Sequence, residues 1–192
     1  KVQYFQQPGS FLVRVSRFLE VDFPGPVDIL RRAPSNRLRP IDFADMTLII
    51  EKQICFKGRT IPTGKRPLVC CPLVATRLDT LLDEAKVIVS KKPDLIEWRV
   101  DFFEAIADAD RVVEAALKIK ALIGEIPLLF TRRAVHEGGE DIPLTEGQVV
   151  GLYSEVCSSG AVDLIDYELS NPPEHLRYLK TLAQQHQLAL VV

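Results

Sequence analysis

From about residue 68 onward the chain repeats one unit: a short apolar run, then a longer stretch with helical apolar spacing. The runs are 68–74 (LVCCPLV), 95–101 (LIEWRVD), 127–131 (PLLFT), 162–169 (VDLIDYEL) and 188–192 (LALVV). Between them, Leu78, Leu81, Leu82, Ala85, Ile88 and Val89 fall on one helical face, and Val112, Val113, Ala116, Ile119 and Ile123 on another. Gly124 stops the second helix. Thr145 with Gln148 forms a capping box for a third, which ends near Gly160. Asn171 and Pro172 cap and open a fourth. Strand and helix alternating every roughly thirty residues is the pattern of βαβ units, and it requires a parallel sheet covered by helices.

A doubly wound sheet and a barrel both satisfy that alternation. No G-x-G-x-x-G follows the first strand, so a dinucleotide fold has no positive support. Polar residues recur near the C-terminal ends of the strands: Glu97, Arg99 and Asp101, then Arg132 and Arg133, then Asp166 and Glu168. Those ends form the mouth of a (β/α)8 barrel, where sites assemble. The expected fold class is therefore α/β, of the (β/α)8 TIM-barrel type.

The run 95–101 has a charged face. Side chains alternate along a strand, so Glu97, Arg99 and Asp101 point one way and Ile96, Trp98 and Val100 the other. Ionisable groups on an interior strand are costly unless they are paired or bind a charged ligand. A structural ion-pair ladder and a binding face both meet that condition. The next strand runs into TRRAVHEGGE, with Thr131 and Arg133 on one face and Arg132 on the other. Its turn supplies His136, Glu137 and the paired Gly138 and Gly139, which permit backbone conformations closed to other residues. Arginine grips a carboxylate with two parallel hydrogen bonds. Arg99 and Arg133, on neighbouring strands, thus suit one pocket for a small anion, with Glu97 and Glu137 orienting them or binding hydroxyls.

Composition narrows the class. The 192 residues carry a net charge of −2, so nothing calls for nucleic acid or an anionic membrane as partner. No apolar run is long enough to span a bilayer, and no leader pattern opens the chain. Cys70 and Cys71 are adjacent and point to opposite faces, which is poor disulfide geometry; with Cys55 and Cys157 they are expected as reduced thiols in the cytoplasm. His136, His175 and His186 have no metal-ligand spacing, and His136 is expected in a solvated loop. Residues 1–45 differ from the rest: five prolines interrupt them, and Arg31, Arg32, Arg37 and Arg39 are offset by nearby acids. They are expected to form an irregular N-terminal extension, with the domain proper over 46–192.

IEWRVDFF, then PLLFTRRAVHEGGE, then VDLIDYEL, in that order and spacing, resemble type I 3-dehydroquinate dehydratase of the shikimate pathway of aromatic amino acid biosynthesis. The likeness runs from about residue 46 to the end. It implies that Glu97 and Arg99 are the family's Glu-x-Arg substrate-binding pair and that Arg133 is its next arginine. It implies that Glu137 lies close to the catalytic histidine and that Cys71 stands where some members carry a serine. The implied reaction is the cofactor-free, metal-free dehydration of 3-dehydroquinate by a cytoplasmic homodimer. A lysine forms a Schiff base with the ketone, and a histidine acts as general base and then acid. That histidine and lysine are expected beyond Val192, so the resemblance assigns no catalytic residue to this chain. A barrel truncated after about five strands is expected to be marginal alone and, though it keeps the substrate-binding residues, catalytically inert or nearly so. A non-catalytic metabolite-binding relative, and a half-barrel that needs a second chain, are the other readings these residues leave open. Met46 is the only methionine and lies at the break in composition, so translation is expected to start there. Peptides from residues 1–45 in mass spectra of the cellular protein would overturn that expectation.

Overall fold

The computed structural model describes residues 54–61 and 67–192; the extension expected over 1–45, and Met46, lie outside the described residues. Strands β1 (Ile54–Phe56) and β2 (Arg59–Ile61) form an antiparallel hairpin. Then come β3 (Cys70–Leu73), α1 (Leu78–Ser90), β4 (Leu95–Arg99), α2 (Ala109–Ile123), β5 (Leu128–Thr131), α3 (Glu146–Ser159), β6 (Leu164–Asp166), α4 (Pro173–Gln185) and β7 (Ala189–Val191). Strands β3 to β7 are all parallel and lie side by side in chain order. A doubly wound sheet must reverse its strand order somewhere. This one does not, and its helices pack successively, α1 on α2, α2 on α3 and α3 on α4. Sequential parallel strands backed by one layer of helices are the barrel-type arrangement that the sequence pattern predicts.

The two faces of the sheet are distinct. Leu73, Ile96, Trp98, Leu128, Phe130 and Ile165 pack with Leu81, Ala85, Val112, Ala116, Ile119, Tyr153 and Val156 of the helices. An edge-to-face chain of rings runs through this layer: Phe103 to Trp98 (5.6 Å), Trp98 to Phe130 (5.6 Å), Phe130 to Tyr153 (5.0 Å) and Tyr153 to Tyr167 (5.9 Å). On the other face, Cys70, Leu95, Leu129 and Leu164 meet Ile54, Phe56 and Ile61 of the hairpin. The hairpin covers the end where the strands begin and leaves the ends where they stop clear.

Its turn explains why it forms. Lys57 and Gly58 have φ of 43° and 69°, the left-handed pair of a tight two-residue hairpin. A non-glycine residue there is held by tertiary contacts. Lys57 Nζ donates to the carbonyls of Gly160 (2.9 Å) and Val162 (2.8 Å) and lies 3.2 Å from the Asp163 carboxylate. Lys120 Nζ donates to the same carboxylate at 2.7 Å, and so does the Leu128 amide at 3.0 Å. Asp163 is buried, so three donors from the hairpin, α2 and β5 converge on one desolvated charge.

Several boundaries differ from the sequence reading, each for a local reason. The strand expected over 95–101 stops at Arg99, because the chain turns into a 3-10 turn at Val100–Phe102. Asp101 therefore does not continue the strand face of Glu97 and Arg99. The strand expected over 162–169 is ordered into the sheet only at Leu164–Asp166. The fourth helix starts one residue later than predicted: Pro172, not Asn171, occupies the N-cap, with no side-chain cap, and Pro173 fills the first turn. The capping box of Thr145 and Gln148 and the stops at Gly124 and Gly160 are present as read. Among the described residues no helix is long and apolar enough to cross a membrane.

Asp163→Ala removes the buried carboxylate shared by two ammonium groups and leaves the Leu128 amide without that acceptor. It is expected to lower unfolding free energy by about 2–4 kcal/mol, measured by urea titration. A loss within about 0.5 kcal/mol, the range of ordinary surface substitutions, would show that the hairpin is not held this way.

Candidate functional site

The ends of β4, β5 and β6 bring the charged residues together. Their register pairs Arg99 with Thr131 and Thr131 with Asp166. Counting outward by twos, Glu97 and Arg99, Thr131 and Arg133, and Asp166 and Glu168 fall on the face away from the helices. At its other end this face becomes apolar, through Leu95, Leu129 and Leu164.

Asp101 organises the group from below. Its side chain is 0% exposed. One oxygen accepts from Arg99 Nε (2.9 Å) and the other from Arg99 Nη2 (2.7 Å), a two-bond clamp. The same carboxylate accepts from the backbone amides of Arg133 (3.3 Å) and Glu140 (3.2 Å). It thus fixes the Arg99 guanidinium and both ends of the Arg133–Glu140 loop. Arg99 also donates to the Gly138 carbonyl (3.3 Å) and lies over the Phe102 ring (5.0 Å).

That loop passes so close to itself that its glycines are required. Gly138 has φ of 85°, and a Cβ on Gly139 would stand 1.9 Å from the Arg133 carbonyl oxygen. The sequence signal of paired glycines therefore has a steric cause.

Arg133 is held differently from Arg99. Its guanidinium spreads over three carboxylates: Asp166 (3.2 Å), Glu137 (3.4 Å) and Glu168 (3.4 Å). These are long contacts to separate groups, unlike the short clamp on Arg99. Burial works against its charge, but Asp166, Glu97, Glu168 and Glu137 outweigh burial and raise its pKa. Burial likewise opposes the charge on Arg99, and Asp101 and then Glu97 outweigh it, while Arg133 repels it. The two guanidiniums and Glu97 therefore share one field.

Behind this face, Tyr153 joins the strand ends. Its hydroxyl accepts from the Arg132 amide (3.0 Å) and donates to the Asp166 carbonyl (2.6 Å). Arg132 points the other way, as read from the sequence, and pairs with Glu146, which also accepts from the Tyr167 hydroxyl (2.7 Å).

Asp166 is a carboxyl group of altered acidity on this face. Burial pushes its carboxyl up to about 6; Arg133 pulls it down, and Glu97 and Glu168 push it up. Sequence alone marked Asp166 and Glu168 only as polar residues at a strand end. Their closeness to Arg133 depends on the neighbouring register.

Of the residues singled out from the sequence, Glu97, Arg99, Arg133 and Glu137 are brought together. Cys71 is not. It pairs in register with Ile96 and packs against the helix-facing core, and burial raises its thiol pKa. The residue beside it, Pro72, pairs with Glu97.

The family model of type I 3-dehydroquinase matches residues 69–192. The chain belongs to the type I 3-dehydroquinase family. It is 49% identical over 141 residues to the 3-dehydroquinate dehydratase of Albidiferax ferrireducens, covering 73% of this chain and 53% of that relative. It is 48% identical over 135 residues to that of Aromatoleum aromaticum, covering 70% and 52%. The crystal structure of 3-dehydroquinate dehydratase from Geobacillus kaustophilus superposes with a TM-score of 0.68 at 40% identity, over 72% of this chain and 53% of the other. A type I 3-dehydroquinate dehydratase from Clostridium difficile with covalently modified comenic acid gives the same TM-score at 34% identity, over 73% and 55%. This dehydroquinase-family chain thus spans about half the length of the curated relatives it matches.

Asp166 gives a pH test. Its folded pKa of about 6 stands above the ordinary 3.8, so between those values the folded state holds a proton that the unfolded state has released. Stability contributed by the neutral carboxyl is complete below pH 4 and is lost as pH rises through 6. Asp166→Asn cannot ionise. Its stability relative to the parent is expected to rise by about 2–3 kcal/mol between pH 4 and pH 7, read from urea midpoints. A difference that stays flat over this range would mean that Asp166 titrates normally.

Proposed function

We propose that this chain carries the substrate-gripping part of a 3-dehydroquinate dehydratase, the hydro-lyase that converts 3-dehydroquinate to 3-dehydroshikimate. Membership of the type I family supports the reaction class. The observation that carries the assignment of residues is the contrast between the two arginines. Arg99 is clamped by two short bonds to Asp101, whereas Arg133 makes longer contacts to three separate carboxylates.

In this reading Arg133 exchanges those contacts for a two-bond grip on the substrate carboxylate. Arg99 stays clamped and supplies fixed positive charge beside it. Glu97 accepts from substrate hydroxyls, and Glu137 braces Arg133 from the loop. Holding the substrate at fixed orientation is what such a constellation contributes to a reaction.

The Schiff-base lysine and the histidine base belong to a different part of the fold. Two lysines that reach the sheet, Lys57 and Lys120, sit at the opposite end and are engaged by Asp163. The described face beside Arg133 includes Glu97, Arg99, Asp166 and Glu168 but no lysine. In this reading the described part of the chain binds 3-dehydroquinate and forms no imine with it.

Calorimetry with 3-dehydroquinate checks the first half: measurable binding, weakened by tenfold or more (about 1.4 kcal/mol or more) in Arg133→Ala. Borohydride reduction of the same mixture checks the second: no covalent adduct by intact mass. No heat with the parent chain would refute the grip. An adduct would place a reactive lysine within this chain.

A further inference from the structure

We infer that His136, Glu137 and Glu168 form a divalent-cation site suited to Zn2+ at the rim of the charged face. This goes beyond the dehydratase reading and does not depend on it. A ring nitrogen of His136 and one carboxylate oxygen from each of Glu137 and Glu168 lie within 4.8 Å of one another. Three ligands bound at about 2.0–2.2 Å in a tetrahedral shell sit roughly 3.3–3.6 Å apart, so closure needs shifts of about 1 Å. His136 and Glu137 are exposed side chains on a turn and have that freedom.

The buried member supplies the second observation. Glu168 has a side chain only 2% exposed. Its Oε1 accepts from the Ala134 amide (2.8 Å) and lies 3.4 Å from Arg133. Its Oε2 is buried with no hydrogen-bond partner among the described residues. A buried carboxylate oxygen without a donor is costly, and a cation satisfies it directly. The Ala134 amide orients that carboxylate as outer-shell donors orient metal ligands. On the histidine, Nε2 stands 3.1 Å from Ser170 Oγ.

Charge favours a cation at this point. Glu137, Glu168, Asp166 and Glu97 all act on Arg133, while the charge of Arg99 is taken up by Asp101. The carboxylates around Arg133 therefore exceed the positive charge available to them. One imidazole and two carboxylates match the donor set of open zinc sites, with room for water at a fourth position. Magnesium and calcium prefer all-oxygen shells and more ligands. The sequence concealed the set because Glu168 lies on a different strand end from His136 and Glu137.

The test is calorimetric titration of the full chain with zinc chloride, with Cys55→Ser as background to remove the exposed thiol. One equivalent of Zn2+ is expected to bind. His136→Ala and Glu168→Gln are each expected to weaken it by about tenfold or more, and His186→Ala, at the end of α4, to leave it unchanged. His136 is exposed, so its removal does not endanger folding. Absence of saturable binding, or equal affinity in the parent and in His136→Ala, would overturn the assignment.

Discussion

The carboxylate of Asp101 is the interaction on which the charged face depends. It is completely buried, and it closes four hydrogen bonds: two to the Arg99 guanidinium and one each to the Arg133 and Glu140 amides. A buried carboxylate with full partners is stable, whereas one with partners removed is costly. Asp101 therefore imposes three placements at once. The strand must end at Arg99, the β5 end must approach the 3-10 turn, and the glycine loop must fold back. Gly139 answers the last demand, since any side chain there would meet the Arg133 carbonyl.

The opposite end of the sheet is organised by an analogous buried carboxylate with a different task. Asp163 gathers Lys57, Lys120 and the Leu128 amide, and so fastens the hairpin beneath the strands. Its donors are two flexible ammonium groups and a backbone amide. Asp101 instead holds a planar guanidinium in a fixed orientation, which suits geometric precision. Between the two ends, the aromatic chain from Phe103 through Trp98, Phe130 and Tyr153 to Tyr167 stiffens the back of the sheet. Tyr153 carries that stiffness to the site, because its hydroxyl bonds the main chain at both Arg132 and Asp166.

Arg133 stands apart because its three acidic neighbours hold it loosely. A guanidinium shared among several carboxylates can be handed to a ligand carboxylate without leaving any single partner stranded. Burial, with Glu97 and Glu168 beside it, raises the pKa of Asp166, and an oxygen of Glu168 is left without a hydrogen-bond partner among the described residues.

Much of the fold was legible in the chain itself. The alternation of apolar runs and helical stripes marks the five parallel strands and four helices of the described residues, and the capping residues Thr145, Gly124 and Gly160 set limits of two of the helices. Those are local properties: periodicity and caps act within a few residues. The hairpin at Ile54–Ile61 is not legible in the sequence, because its strands are three residues each and Lys57 takes a left-handed conformation only with tertiary support. The sequence by itself determined that Glu97, Arg99, Arg133 and Glu137 carry charge near strand ends. It did not determine that Asp101 leaves the strand face, or that Cys71 turns to the helices. Nor did it join Asp166 and Glu168 to Arg133. Those outcomes depend on how parallel strands stagger and on which buried charge finds which donor, and only the tertiary structure decides them.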